Sequence, residues 1–506
     1  MFAVPMKCAT LVVAGLLLMT SPLLANSGHT GASLAWTSDD SAVKQAIQLL
    51  NAGRFAEAEE LLRADDGDAG AEPVQARTEM LEIIRRLRHE YRLDERALLD
   101  KLRKSVPDAS AGDLKRWRDA GELQYRTIDG EIRYFNREPV NLFRFSEDAR
   151  SRRDRDARAG AATEKPKWWL EQHLKEVVAA AEAGESPEVT PIRHRISYKL
   201  TIPANARGAK AGSVARVWLP YPQEYRQQKD VKLISASPGD PVIAPNATDG
   251  KEIGGAAQRT LFFERTIDDP AKPMEFIAVY EYTSFAYYPK LDDAKAKPLP
   301  ANWSDAYLRE RLPHIAFTPE LRAKVAEIVG DETNPLAKAR RIFQFVSDNI
   351  RYCGEEEYGL IPSFSTKALT AQKGDCGVQG MLFITMCRAA GIPARWQSGW
   401  ETKPINWNMH DWAEFYVAPW GWLPADPSYG LQKSDDPKVR WFYFGHQDSY
   451  RLIVNLDYGS PLHPPKHSLR SEPADFQRGE VEIDGRNLYF DEWSWNFSFE
   501  QDPKAF

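Results

Sequence analysis

The sequence predicts a multidomain α+β protein, on three observations. The chain has 506 residues, more than one ordinary hydrophobic core organises. The apolar period changes along it, from helical spacing in the first third to strict alternation between Ile192 and Tyr288. Beyond that, one strongly apolar helix is bracketed by short polar motifs and followed by strands. These divide the chain into a mainly helical N-terminal region with a β-hairpin over 38–185, a β-sandwich over 190–290, an α+β domain over 300–440 and a C-terminal β-rich extension over 441–506.

Composition bounds the function. Hydrophobic content of 43% and charged content of 27% are those of a folded globular protein. A formal net charge of −6 spread over the chain excludes a strong pull toward nucleic acid or an anionic membrane. At the N-terminus, Lys7, the apolar run Ala9 to Met19 and the small residue Ala25 read as a secretory signal over 1–25, so an exported, periplasmic or secreted protein is expected. Its removal takes Cys8 and leaves Cys353, Cys376 and Cys387. Three cysteines cannot all pair within one chain, which keeps at least one thiol free.

Within the first region, Val43, Ile47 and Leu50 share one helical face, Asn51-Ala52-Gly53 breaks it, and Phe55, Ala58, Leu61 and Leu62 continue on a second helix. One helix is expected over Leu81 to Leu102 and another from Asp113. Asp129-Gly130 between two alternating runs predicts a tight hairpin. The mixed-sign run Asp148 to Lys167 reads as a boundary, and Trp168 to Ala183 as a closing helix. Helices followed by a hairpin resemble a winged-helix layout, but the export signal and the acid balance argue against DNA. The sandwich is expected to be structural, bordering the substrate groove. The extension after Asp426 is expected to continue the catalytic sheet.

The chemistry concentrates between Gly374 and Pro427. Thr366 to Gly374 lacks helical periodicity, and apolar residues then recur from Val378 to Ala390 before Gly391. Cys376 is therefore placed at a helix N-terminus and displayed. Unpaired amides and the helix dipole there favour a thiolate and lower the thiol pKa. Gly377 leaves room for a substrate chain. His410 opens a strand carrying Trp412, Phe415 and Val417 and is placed to accept the thiol proton and deliver it to a leaving amine. Asp426 ends the next strand, where a carboxylate fixes the imidazole tautomer. Asp411 competes for that role, but as the neighbour of His410 on an extended strand it points to the opposite face. Tyr352 and Gln372 are candidates for a second oxyanion donor beside the Cys376 amide. Trp400 and Trp407 are candidates for clamping a peptide or glycan. No His-Glu-x-x-His or Cys-x-x-Cys spacing is present, so neither a metal nor another cofactor is expected.

Gly374-Asp-Cys-Gly377, Arg388-Ala-Ala-Gly-Ile-Pro-Ala-Arg395, His410-Asp-Trp-Ala-Glu-Phe415 and Trp422-Leu-Pro-Ala-Asp-Pro427 resemble the transglutaminase-like superfamily over roughly 310–430. The resemblance implies a papain-related α/β fold with a Cys-His-Asp triad, carried over to Cys376, His410 and Asp426. It also implies a thioester route on amide bonds, with peptide or protein substrates, cell-wall peptide among them. Hydrolysis of a peptide or isopeptide bond is the expected outcome. Protein cross-linking is one alternative, and a non-catalytic binding protein that retains the triad is the other.

Overall fold

The computed structural model describes residues 34–64, 70–153, 168–248, 253–300, 303, 306–404, 406–466 and 468–502. The signal over 1–25 and most of the charged boundary segment lie outside the described residues.

The N-terminal region opens with the expected hairpin of helices, α1 (Ser41–Asn51) and α2 (Phe55–Arg63), closed at Gly53. Where one helix is expected over Leu81 to Leu102 there are two, α3 (Ala71–Glu90) and α4 (Glu95–Leu102). The break falls at Asp94, whose carboxylate accepts from the Ala97 amide and so starts a new helix. After α5 (Ala111–Asp119), strands β1 (Tyr125–Ile128) and β2 (Glu131–Tyr134) pair across Asp129 and Gly130, both at positive φ, as the turn requires. Helices α6 (Val140–Phe145), α7 (Glu147–Arg152) and α8 (Trp168–Ala183) complete the region.

Six strands follow: β3 (Glu188–Ile202), β4 (Val214–Pro220), β5 (Gln228–Ser237), β6 (Val242–Ile243), β7 (Thr260–Thr266) and β8 (Met274–Tyr287). They form two facing sheets, but residues 190–290 alone do not complete them. The order of one sheet is β16-β15-β4-β7-β6 and of the other β17-β3-β8-β5, with β15 (Glu480–Ile483), β16 (Arg486–Leu488) and β17 (Ser494–Asp502) from the C-terminus. The C-terminal extension therefore does two things: β14 (Arg451–Asn455) continues the sheet of the following domain, as expected, whereas β15, β16 and β17 close the sandwich. β17 covers nine residues of β3, from Ser494 opposite Thr201 to Asp502 opposite Arg193, satisfying backbone groups that a bare edge would expose.

The remaining domain packs α9 (Pro319–Val329), α10 (Pro335–Asn349), α11 (Phe364–Ala371) and α12 (Cys376–Ala389) against a four-stranded antiparallel sheet. Between these helices, β9 (Arg351–Tyr352) and β10 (Lys373–Gly374) pair in parallel. The main sheet has the order β13-β12-β11-β14, from β11 (Ala394–Lys403), β12 (Asn406–Val417), β13 (Gly421–Ala425) and β14 (Arg451–Asn455). Helix α11 was not expected from its Ser/Thr-rich sequence. It forms because Phe364 and Ala368, one turn apart, are both buried in the domain core. Helix α12 is apolar on every side, and all residues from Cys376 to Arg388 are buried. At about 1.5–3 kcal/mol for each large apolar side chain, this burial anchors the helix in the domain.

The sandwich and the four-stranded sheet share one core. Trp400, Leu452 and Val454 of the sheet pack among Tyr198, Trp218 and Phe497 of the sandwich. A second junction is ionic: Arg395 Nε donates to Glu414 Oε2 at 2.8 Å, Tyr225 Oη donates to the same carboxylate, and Arg226 pairs with it. Arg395 and Glu414 are fully buried.

Candidate active site

Cys376 is the first residue of α12, as its sequence context predicts. The preceding residue, Asp375, caps the helix by accepting from the Val378 amide at 3.1 Å. Pairing of β9 with β10 brings Tyr352 level with Gly374. The Cys376 amide has no hydrogen-bond acceptor among the described residues, as befits a first-turn donor.

His410 and Asp426 are joined, with Nε2 of the ring 2.6 Å from Asp426 Oδ2. Asp426 also accepts from the Ser428 hydroxyl at 2.8 Å and the Tyr429 amide at 3.1 Å. Buried Arg451 stands 3.0 Å from Asp426 Oδ2 and 3.2 Å from Asp448 Oδ2. Burial alone would raise the Asp426 pKa, but the charges of His410 and Arg451 outweigh it and hold the carboxyl at about 2. Nδ1 of His410 has no hydrogen-bond partner among the described residues, and the ring lies between Trp412 and Tyr429.

The thiol is not bonded to His410. Cys376 Sγ lies 3.5 Å from Asp411 Oδ2, on the adjacent residue of β12. The alternation of the strand separates the two side chains as expected: Ala413 and Phe415 join the core under α12, whereas Trp412 packs with Tyr225 and Ile453.

Two expectations are overturned here. The three residues are buried rather than displayed, with Cys376 only 6% exposed. The thiol pKa is raised well above its ordinary value, not lowered. Burial is the main cause, followed by the charges of Asp411 and Asp375. Gly377 is also needed for a different reason. A Cβ there would lie 2.2 Å from Tyr358 Oη and 2.8 Å from the Trp396 ring, so the space belongs to the protein and not to a substrate.

Tyr358 ties these groups together. Its hydroxyl is 3.0 Å from Asp375 Oδ1 and 2.8 Å from Asp411 Oδ2, and it accepts from the Gly377 amide at 3.1 Å. One phenolic proton cannot serve both carboxylates at once; Asp375 also accepts from the Val378 amide and Asp411 from the thiol and Gln477. Burial pushes Asp375 up to about 8 and Asp411 to about 6. Gln477 fixes Asp411 from the other side, donating from Nε2 to Oδ1 at 2.7 Å and to the His410 carbonyl at 3.1 Å.

These residues border a cavity of about 150 Å³ in front of Cys376. One wall is Gly354 to Tyr358, another is Glu472, Asp475, Gln477 and Arg478 from the C-terminal segment, and Arg137 of the N-terminal region reaches its rim. None of its lining residues comes from 190–290, so the sandwich does not border the groove. Tyr352 lines the cavity and is 36% exposed. A thiolate at Cys376 would raise its pKa most, and burial raises it as well, so the phenol stays neutral. Gln372 does not line the cavity; it ends α11 in the left-handed conformation, exposed, with its carbonyl taken by the Arg351 amide. Trp400 is fully buried, stacked 4.3 Å from Phe497, with Nε1 donating to the Gln477 carbonyl. It is a core residue and no clamp. Trp407 is 36% exposed beside it, away from the cavity lining. Sequence reasoning missed Tyr358, Asp475 and Gln477, which lie too far from the motifs in sequence to be linked to them. No three His, Cys, Asp or Glu side chains among the described residues are grouped to hold a metal ion.

Residues 322–427 match the profile of the transglutaminase-like superfamily, a span slightly shorter than the expected 310–430. An uncharacterized protein of Haemophilus influenzae is 26% identical over 339 residues, covering 58% of this chain and 86% of its own length. YebA of Bacillus subtilis, also uncharacterized, is 23% identical over 222 residues, and the match spans 38% of this chain and 28% of YebA. Among solved structures, a candidate cysteine protease from Cytophaga hutchinsonii aligns with a TM-score of 0.41 at 15% identity, covering 62% of this chain and 90% of that one. The periplasmic domain of TgpA from Pseudomonas aeruginosa aligns with a TM-score of 0.25 at 17% identity, covering 49% and 91%. Mixed helices and sheets, the motif order and the matched profile agree: residues 322–427 of this chain are a transglutaminase-like core domain.

Proposed function

We propose that this protein is an exported thiol acyl-transfer enzyme that cleaves amide bonds in peptide or protein substrates through Cys376, His410 and Asp426. The observation that carries the reading is the His410–Asp426 pair at 2.6 Å, which leaves Nδ1 without a partner among the described residues, on the strand that also holds the thiol's neighbour. Export rests on the signal expected over 1–25.

The resting thiol is protonated and bonded to Asp411. In the reaction its proton passes to His410 Nδ1 as Sγ attacks the substrate carbonyl. Asp426 and Arg451 hold the ring and balance the imidazolium. The free Cys376 amide and the neutral Tyr352 phenol are the donors for the oxyanion. His410 then protonates the leaving amine, and a thioester remains on Cys376. Water attacks it with His410 as base, restoring the thiol and releasing the acid. An amine in place of water would give cross-linking.

The test is acylation by a small activated ester, p-nitrophenyl acetate, followed by intact and peptide mass measurement. An acyl group on Cys376 is expected, absent in Cys376→Ala and formed about 100-fold more slowly in His410→Ala. Added glycine ethyl ester then shows whether water or an amine takes the acyl group. No adduct on Cys376, or an equal rate without His410, would overturn the reading.

The contact at 3.5 Å favours a second reading, in which Asp411 itself takes the thiol proton. The two separate by the sign of one substitution. As a nearby negative charge Asp411 raises the thiol pKa, so Asp411→Asn should speed iodoacetamide labelling of Cys376 at pH 8 by about tenfold. Slower labelling would make Asp411 the base.

A further inference from the structure

Among the described residues, the cavity in front of Cys376 holds more carboxyl groups than it balances. Its arginines are already paired: Arg478 bridges Glu357 and Glu472, and Arg137 pairs with Glu357. Glu355 is held by Lys367, and Glu356 by Arg126 and Tyr91. Asp375, Asp411 and Asp475 remain without a cationic side chain.

Of these, Asp375 and Asp411 have hydrogen-bond donors, as described above. Asp475 does not. Its carboxyl makes no hydrogen bond or ion pair with any described residue, although the residue is only 4% exposed and lines the cavity. The turn that carries it explains why. Glu472 accepts from the amides of Gln477 and Arg478 at 2.8 and 2.9 Å, and Gln477 is bound to Asp411. Arg470 Nη2 holds the Asp475 carbonyl at 2.8 Å. The backbone is thus tied on both sides of Asp475 while its side chain faces the cavity unmatched. A buried carboxyl without a donor is costly unless a ligand supplies one.

Without a partner the carboxyl is pushed toward its protonated form by burial and by the charges of Glu472 and Asp411; a metal ion or an organic cation would hold it ionised. The absence of any metal-like grouping of three ligands among the described residues disfavours the first. The cavity is about the size of a small aliphatic amine.

Resting on the thiol acyl-transfer reading above, we propose that the cavity before Cys376 is a subsite for a protonated primary amine of the substrate, received by the Asp475 carboxylate. The substrate class is then a peptide whose cleaved amide lies beside a free ammonium group. Paired with Asp475, that amine keeps its proton and has no lone pair with which to attack the thioester. It serves recognition, and water remains the acceptor.

The test uses the full chain and three methanethiosulfonate reagents that differ only in charge: aminoethyl, methyl and sulfonatoethyl. Cys376 modification rates are read by peptide mass and normalised to a free thiol in solution. The aminoethyl reagent is expected to exceed the methyl reagent by at least tenfold. Asp475→Asn should bring the aminoethyl-to-methyl ratio, taken within the variant, close to that of a free thiol, and Asp475→Glu should keep the native ratio. The methyl rate reports whether a variant retains the folded cavity. An aminoethyl advantage that survives Asp475→Asn, or a sulfonatoethyl rate equal to the aminoethyl rate, would overturn the proposal. Labelling requires no turnover, so an inactive triad fails the acylation test and leaves this one readable.

Discussion

Arg451→Leu is expected to destabilise the protein by about 3–5 kcal/mol, the range for removing one partner from a buried charge cluster. Arg451 is buried against the rings of Trp412, Tyr429 and Tyr443, so its charge is shared with carboxylates and not with water. It contacts Asp426 and Asp448, and Glu401 Oε1 lies 3.8 Å away. Leucine keeps much of the volume but leaves Asp426 and Asp448 with far less compensation. Urea unfolding measures the loss; a change under 1 kcal/mol would mean that the cluster is hydrated. The pH dependence has a definite sign. Asp426 has a folded-state pKa depressed to about 2. Its stabilisation is present above the unfolded value near 3.9 and is lost as pH falls through the folded value. Without Arg451 the folded pKa rises, so acid unfolding of the variant should begin at higher pH than in the native protein.

Gly377→Ala is the second large effect, with an expected cost of about 1–3 kcal/mol or more from overpacking. The new methyl would meet Tyr358 Cζ at 2.6 Å as well as the hydroxyl and the Trp396 ring. Tyr358 cannot retreat without releasing Asp375, Asp411 and the Gly377 amide together. The melting temperature should fall, and labelling of Cys376 should change because the Tyr358 contacts to Asp375 and Asp411 are disturbed. In a double-mutant cycle with Tyr358→Ala the costs should be clearly less than additive, since removing the ring opens the space for the methyl. Additive losses would show that the strain lies elsewhere.

Local signals in the chain were strong where a single residue type has few backbone options. Asp129-Gly130 predicts its hairpin because two successive positive φ angles suit few other pairs. Asp375 ahead of an apolar run predicts the start of α12, and Ala390-Gly391 its end. Alternation along β12 predicts that His410 and Asp411 diverge, and they do. The reading failed where burial decided. Phe364 and Ala368 make a helix of a segment without amphipathic pattern because the core covers them. Trp400 sits in a loop-like composition, yet it fills the junction with the sandwich.

By itself, then, the sequence determined the α+β class, the helix start at Cys376, the strand of His410 and the residue that would orient it, because capping, period and turn chemistry act within a few residues. Only the tertiary structure decided the environment of the thiol. Residues 472–478 return from the C-terminal segment to wall the cavity, the N-terminal region contributes its rim, and the last three strands close the sandwich. Glu472 and Arg137 lie 96 and 239 residues from Cys376 in the chain. The pKa of a buried group depends on charges within a few ångströms in space, whatever their separation in sequence. For that reason a helix terminus that predicts a thiolate carries, in the folded protein, a protonated thiol facing an unbalanced carboxylate wall.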